Sequence, residues 1–185
     1  MPDPLRLNLE RIATPIGDFL LATDEAGRLH GAEWADHEEL MQAQLSRRHG
    51  PRGFDLRPVP RTAAGAAVRR YFRGDLSAID ALEVAPGGTA FQHKVWRALR
   101  RIPCGETMTY AALAERIGRP TAVRAVGHAN GANPISVIVP CHRVVGSNGS
   151  LTGYGGGIER KRWLLEHERR AGRTGAAGSR QPGPS

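Results

Sequence analysis

Two cysteines could supply a reactive thiol, and their neighbours differ. Cys141 lies at the end of an apolar run, in VIVPCHRVVG, and is followed by His142 and Arg143. Cys104 lies in IPCGET, with no histidine close to it in sequence. A nucleophilic cysteine reacts as the thiolate, which an electropositive and partly exposed position favours. We therefore expect Cys141 to be the reactive thiol and Cys104 to be a packing or surface thiol.

A proton acceptor for this thiol must come from another side chain. In extended backbone, consecutive side chains point to opposite faces, so His142 would reach Cys141 through a bridging water. A histidine base also needs an acceptor that orients its ring. On the wheel of the C-terminal helix IERKRWLLEHERR, Glu168 falls inside the arc that should face the core, and a buried carboxylate requires a partner. Lys161 shares that arc, so an ion pair within the helix is an equally open explanation of Glu168.

The composition sets the class of protein in which this thiol works. A chain of 185 residues with 40% hydrophobic residues can form one large domain or two small ones. The start, MPDPLRLNLE, does not have the order of a signal peptide, and no stretch approaches the roughly 18 apolar residues of a membrane span. We expect a cytoplasmic protein without a membrane partner. In that reducing compartment the two cysteines should be free.

The charge is unevenly distributed along the chain. Residues 1–90 hold 11 basic and 13 acidic residues, a net of −2, whereas residues 91–185 hold 15 and 5, a net of +10. The basic half contains both cysteines. A concentrated positive field favours a polyanionic partner, nucleic acid first. Arginine-rich composition in general is the alternative, because 24 of the 26 basic residues are Arg.

The first part of the chain, residues 1–87, is predicted to be a supporting α/β domain. Apolar segments at 5–12, 18–23 and 29–34 are separated by the turn signals TPIG and DEAG, which predicts an antiparallel meander. A helical pattern follows from Asp36 and is closed by Gly50. The stretch PRGFDLRPVPR is interpreted as an irregular linker, and AGAAVRRYFRGDL as a second helix.

Residues 88–170 are predicted to form a mostly helical domain. FQHKVWRALRRIP has amphipathic spacing, ETMTYAALAERIG has Thr109 as N-cap, and RPTAVRAVGHANGAN has Pro120 in its first turn. Two short helices joined by a Gly-containing turn indicate a helix-turn-helix, with Arg124 on the solvent side of the second helix. An ordinary solvated arginine is the competing interpretation of Arg124. The β-branched run ISVIVPC predicts a buried strand that ends at Cys141, and residues 171–185 have the composition of a disordered tail.

Several motifs together resemble one known family. PCHRVVGSNGSLTGYGGG, with FQHKVW, IPCGETMTYAALA, AVRAVG, NGANP and KRWLLEHE, is similar to the O6-alkylguanine-DNA alkyltransferases over roughly residues 88–168. TPIGDFLLA resembles the N-terminal domain of the same family. The resemblance implies an α+β fold: an N-terminal antiparallel sheet domain with helices, of ribonuclease H-like type, and a C-terminal mostly helical domain with a winged-helix type helix-turn-helix.

The resemblance also implies a reaction. The alkyl group of O6-alkylguanine, and of O4-alkylthymine, in double-stranded DNA would move once per protein molecule to Cys141, after the base has been flipped out of the helix. The family's water-bridged array falls on Cys141, His142 and Glu168, with Asn133 as the residue that ties the flanking turns. Tyr110 would rotate the nucleotide and protonate the leaving guanine.

Further contacts are implied residue by residue. Arg124 corresponds to the family's arginine that takes the place of the flipped base in the DNA. The helix-turn-helix would enter the minor groove. The remaining DNA contacts fall on Gln92, Ala111, Arg119 and Ser147.

The same resemblance bears on the base pocket and on metals. Backbone groups of Cys141, Val144 and Tyr154 would hold the guanine edge. Gly155 stands where some members have a serine near the guanine O6, so one hydrogen bond would be missing. The N-terminal cysteines of zinc-binding members are not present here, so we expect no metal, no other cofactor, and a monomer.

Two other functions remain open on the residues. A hydrolase with a Cys-His-Glu array would use the same side chains, but it would turn over repeatedly. A non-catalytic DNA-lesion-binding helix-turn-helix protein would not need a cysteine at position 141, so the thiol argues against it.

Overall fold

The structure is a computed structural model that describes residues 3–177, and it has the α+β fold that the sequence predicts. The strands are β1 (Leu5–Thr14), β2 (Gly17–Thr23), β3 (Leu29–Trp34), β4 (Phe54–Pro58), β5 (Met108–Thr109) and β6 (Val144–Val145). The α-helices are α1 (Glu38–His49), α2 (Ala63–Phe72), α3 (Ala90–Leu99), α4 (Tyr110–Arg116), α5 (Val123–Gly131) and α6 (Ile158–Ala177). Short 3₁₀ turns occur at Ala35–His37, Leu76–Ile79 and Cys141–Arg143.

The N-terminal sheet has the strand order β3-β2-β1-β4. β1, β2 and β3 pair antiparallel, which confirms the predicted meander. The turn between β1 and β2 needs Gly17, whose φ of 119° side chains rarely adopt. The predicted linker at 51–61 is wrong, because Phe54–Pro58 pairs parallel with the edge of β1 as β4. Pro58 ends this edge strand, where proline is tolerated.

The two faces of this sheet are covered differently. α1 closes one face, where Met41 and Leu45 pack with Leu7 and Leu20, and it ends before Gly50 as predicted. The other face, with α2, belongs to a large core that continues into the C-terminal half. The predicted boundary at residues 87 and 88 lies in the connection before α3, and the core crosses it.

The C-terminal half contains α3 to α6 and the small parallel pair β5-β6. Thr109 caps α4 by accepting a hydrogen bond from the Ala112 N–H at 3.1 Å, as the sequence predicts. α5 begins at Val123, later than predicted, and Pro120 lies in the preceding turn rather than in the first turn of the helix. α6 continues to Ala177, so residues 171–177 are helical rather than part of the predicted tail. The rest of that predicted tail, 178–185, lies outside the described residues.

Candidate active site

The segment that leads to Cys141 is a buried, irregular turn. The predicted strand ISVIVPC is wrong: Ile135 makes only an isolated bridge to Ala32 of β3, and Val137 has a φ of 70°. The Asn133 side chain explains the compact path, because its Oδ1 accepts from the Ile135 N–H at 3.0 Å and its Nδ2 donates to the Val139 carbonyl at 2.8 Å. Cys141 therefore begins a 3₁₀ turn instead of ending a strand.

The Cys141 thiol is buried, with 7% of the residue exposed. Burial raises the pKa of this thiol to about 11, although the Asn133 side chain and the Lys161 ammonium act in the opposite direction. At neutral pH roughly one such thiol in ten thousand is ionised. The thiol therefore needs a base before it can act as a nucleophile.

His142 and Glu168 form a fully buried pair beside this thiol in sequence. His142 Nε2 lies 2.8 Å from Glu168 Oε1, and neither side chain is exposed. Burial alone would raise the pKa of Glu168, but His142 and Arg143 hold it well below its usual value, so the carboxylate is ionised. An ionised carboxylate accepts the Nε2 proton of a neutral imidazole, which leaves Nδ1 as an acceptor. His142 Nδ1 is buried and has no hydrogen-bond partner among the described residues.

Two side-chain partners of Glu168, Arg143 and Tyr71, were missed by the sequence reasoning. Arg143 donates to both carboxylate oxygens, and the Tyr71 hydroxyl donates to Oε1 at 2.7 Å. Arg143 also lies 2.8 Å from the Cys104 sulfur, so this half-buried thiol touches the same network rather than only packing. Burial raises the pKa of Cys104 to about 11. The position of Arg143, a basic residue next to His142 in an apolar run, could have indicated a buried ion pair. No sequence feature indicated Tyr71, which is 97 residues from Glu168.

Lys161 does not pair with Glu168. Its buried Nζ donates to the carbonyls of Val144, at 2.6 Å, and Thr152, at 2.9 Å. Burial lowers the pKa of this ammonium. Lys161 thus joins β6 to the glycine-rich loop that follows it. The charged partners of Glu168 are His142 and Arg143, not Lys161.

Two tyrosines from different elements pack against the core that contains Cys141. Tyr110, the first residue of α4, is half-buried and donates its hydroxyl proton to the Thr152 carbonyl at 3.4 Å. Burial raises the pKa of Tyr110, so its phenol stays protonated at neutral pH. Tyr154, in the loop before α6, packs against the core that includes Cys141, and burial raises its pKa. The exposed Gly155 next to it has room for a side chain, since an added Cβ meets nothing within 4 Å.

Known proteins are similar to this chain over most of its length. The family model of the 6-O-methylguanine DNA methyltransferase DNA-binding domain matches residues 90–170. A methylated-DNA–protein-cysteine methyltransferase from Shigella flexneri is 51% identical over 167 residues, 89% of this chain and 96% of that protein. The chain belongs to the methylated-DNA–protein-cysteine methyltransferase family.

Solved structures of this methyltransferase family agree with the fold. A crystal structure of the Mycobacterium tuberculosis O6-methylguanine methyltransferase matches with a TM-score of 0.73 and 42% identity, covering 89% of this chain and 94% of that one. A crystal structure of Mycobacterium tuberculosis OGT in complex with DNA matches with a TM-score of 0.73 and 40% identity, over the same shares of the two chains.

The methyltransferase residues predicted to contact DNA lie mostly at the surface. Arg124 on α5 is exposed, and clefts of about 670 and 660 Å³ flank it, both also lined by His128. Val123, the first residue of the same helix, is 37% exposed. Ala111, Arg119 and Ser147 are exposed as well.

Gln92 differs from the other predicted DNA contacts. Its side chain accepts the Thr89 N–H at 2.9 Å in the capping box of α3, so it already has a structural partner. Asn130 was not predicted, and its buried amide donates to the Cys141 carbonyl at 3.5 Å. No group of three or more potential metal ligands occurs within the described residues, and no helix there is long and apolar enough to cross a membrane.

Proposed function

We propose that this protein repairs O6-alkylguanine in double-stranded DNA by moving the alkyl group to Cys141, once per protein molecule. The observation that carries the proposal is the buried His142–Glu168 pair, at 2.8 Å, with a free ring nitrogen on His142 and the buried Cys141 preceding it. Relatives over most of the chain are named methylated-DNA–protein-cysteine methyltransferases, which supports the same reaction.

The proton of the thiol leaves through His142. Glu168 is ionised and fixes the Nε2 proton of the imidazole, so Nδ1 is the nitrogen that can accept a proton. A water between Cys141 and Nδ1 completes the path, and the imidazolium that forms is stabilised by the Glu168 carboxylate. This path supplies the thiolate that a thiol with a pKa of about 11 does not provide by itself.

Transfer is an in-line displacement at a saturated carbon. The Cys141 sulfur attacks the alkyl carbon, the C–S bond forms, and the bond to the guanine O6 breaks with its electron pair left on the guanine. Tyr110 donates a proton to the leaving guanine. The product is a thioether, which has no electrophilic carbonyl for water to attack, so the protein reacts once. O4-alkylthymine is a second substrate of the same chemistry.

DNA binding belongs to the C-terminal half. Its net charge of +10 over residues 91–185 favours the phosphate backbone, and the exposed α5 carries Arg124 to replace a flipped base in the minor groove. Helices α3 to α5 with the β5-β6 pair support a winged-helix type of helix-turn-helix. The sheet order β3-β2-β1-β4, with β4 parallel to β1, supports a ribonuclease H-like N-terminal half.

Within this site the remaining predicted residues have supporting roles. Asn133 holds the turn before Cys141, and backbone groups of Cys141, Val144 and Tyr154 bind the guanine edge. The Val144 carbonyl already accepts from Lys161, and its second lone pair remains for the base. One monomer acts on one lesion.

The test is to incubate the protein with a duplex that carries O6-methylguanine and to locate the methyl group by peptide mass. We expect one methyl group per molecule on the Cys141 peptide, none in Cys141→Ala, and normal transfer in Cys104→Ala. Methyl on the Cys104 peptide, or transfer by Cys141→Ala, would falsify the assignment. Repeated release of product by a small amount of protein would identify a hydrolase instead.

A further inference from the structure

Trp34 connects the N-terminal sheet to the glycine-rich loop between β6 and α6. Trp34 is the last residue of β3 and is fully buried. Its indole Nε1 donates to the Tyr154 hydroxyl at 3.4 Å. Tyr154 in turn packs against the buried core that includes Cys141. A residue of the N-terminal half therefore holds an aromatic side chain that packs against the core around the thiol.

The glycine-rich loop is in contact with the same indole. A Cβ added at Gly156 would lie 2.6 Å from Trp34 Nε1 and 2.6 Å from a Tyr154 ring carbon, closer than real Cβ atoms come to other atoms. The main chain at Gly156 thus packs directly against both aromatic side chains. A larger residue at this position would force the Trp34 indole or the Tyr154 ring to shift.

The indole itself is held on its other sides. The Arg160 guanidinium lies 4.6 Å from the ring centroid, and the Phe19 ring lies 4.7 Å from it. Arg160 also donates to Asp36, to the Ile16 carbonyl at 3.0 Å and to the Gly156 carbonyl at 3.2 Å. One cation therefore ties Trp34, the sheet and the loop together.

We infer that Trp34 is a positioning residue that limits the size of the alkyl group accepted at Cys141, by fixing the Tyr154 ring and the Gly156 main chain behind the site. The inference rests on the proposed function. The alkyl carbon must touch the sulfur, so the rest of the group must fit against the side chains next to it. With Trp34 in place, Tyr154 cannot recede to admit a longer chain.

The experiment compares transfer rates from duplexes that carry O6-methylguanine or O6-butylguanine. We expect Trp34→Leu to raise the butyl-to-methyl rate ratio about tenfold, the size of effect that one methylene group has in an apolar pocket. Trp163→Leu is the matched control: Trp163 packs on Phe72 and His167 in the same core, and its loss should leave the ratio unchanged.

A second pair of variants keeps the inference testable if Trp34→Leu does not fold. Trp34→Phe removes the N–H donor, Tyr154→Phe removes its acceptor, and both keep an aromatic ring. Each should raise the ratio, and the double variant should raise it no further, because both act on one hydrogen bond. An unchanged ratio in Trp34→Phe, or a ratio that rises equally in Trp163→Leu, overturns the inference. Absence of any methyl transfer by the unmodified protein would instead overturn the proposed function, and the inference with it.

Discussion

Arg143 donates two hydrogen bonds to Glu168, from Nε to Oε2 at 2.9 Å and from Nη2 to Oε1 at 2.9 Å. The arginine side chain is 6% exposed and the glutamate is fully buried. Because a guanidinium matches a carboxylate with two parallel bonds, this pair fixes the plane of the carboxylate as well as its charge. The orientation of His142 therefore depends on an arginine that does not itself accept or donate a proton in the proposed reaction.

Removal of this arginine should be costly for the folded protein. We expect Arg143→Met to lower the free energy of unfolding by about 3–5 kcal/mol, because it leaves a buried carboxylate with fewer donors. Urea denaturation followed by circular dichroism measures the change. Arg170→Met is the control: this exposed arginine lies 3.5 Å from Glu166, and its loss should cost less than about 1 kcal/mol. Equal losses in the two variants would contradict the prediction.

Glu168 should make the folded protein sensitive to acid. Its ordinary pKa is 4.5; burial would raise this value, but His142 and Arg143 lower it well below that in the folded chain. The unfolded chain therefore takes up the proton first, so the stabilisation by Glu168 is fully present above the unfolded pKa and is lost as the pH falls toward the folded pKa. Between about pH 5 and about pH 3, we expect the free energy of unfolding to fall more steeply in the natural protein than in Glu168→Gln.

Urea titrations at several pH values measure the two slopes. Glu166 lies two residues before Glu168, on the exposed side of α6. The variant Glu166→Gln should therefore keep the pH dependence of the natural protein. Parallel pH dependences of the natural protein and Glu168→Gln would show that another carboxylate is responsible.

We expect Asn133 to affect the reactivity of Cys141 by holding the backbone turn that precedes it. Its side chain bonds Ile135 and Val139, and it is itself buried. Asn133→Ala leaves those two groups without their partner, so we expect a loss of about 2–3 kcal/mol in the free energy of unfolding. We also expect slower methyl transfer to Cys141, measured with the O6-methylguanine duplex. Asn148→Ala, which removes an exposed turn contact to Ser150, should change neither quantity; a normal transfer rate in Asn133→Ala would contradict the predicted role.

Arg124 should matter for DNA but not for the chemistry. It is exposed on α5 and far enough from the buried network that no bond joins it to His142 or Glu168 among the described residues. We expect Arg124→Ala to slow transfer from duplex O6-methylguanine at least about tenfold, and to leave reaction with the free base O6-methylguanine unchanged. Arg61→Ala, an exposed arginine of the N-terminal half, provides the control. Equal slowing with both substrates would assign Arg124 to the fold instead.

Local patterns in the sequence predicted much of the fold. Alternation and turn signals were sufficient for β1 to β3, and Thr109 and Gly50 marked helix ends correctly. β4 was missed because its pairing with β1 depends on an edge about fifty residues away in the chain. The apolar run after Asn133 was wrongly interpreted as a strand, since composition does not reveal that a side chain would hold the backbone in a turn.

The site shows the same division between local and distant information. Cys141, His142 and Glu168 were predicted as one array, partly from the family resemblance, and the structure places His142 Nε2 and Glu168 Oε1 2.8 Å apart. The helical wheel could not show whether Glu168 pairs with Lys161, because both side chains face the core. Their actual partners, the Val144 carbonyl for Lys161 and His142 for Glu168, come from other segments of the chain. Tyr71 and Trp34 reach the site only through the packing of the two halves.

The hydroxyl of Tyr71 comes from α2, in the half of the protein that carries neither the thiol nor the predicted DNA contacts. A molecule in which α2 has come loose keeps every reacting atom and the whole basic surface. It has nevertheless lost one of the donors that keep the Glu168 carboxylate in place. We expect such a molecule to bind DNA through its basic half but to transfer the alkyl group to Cys141 more slowly than intact copies do.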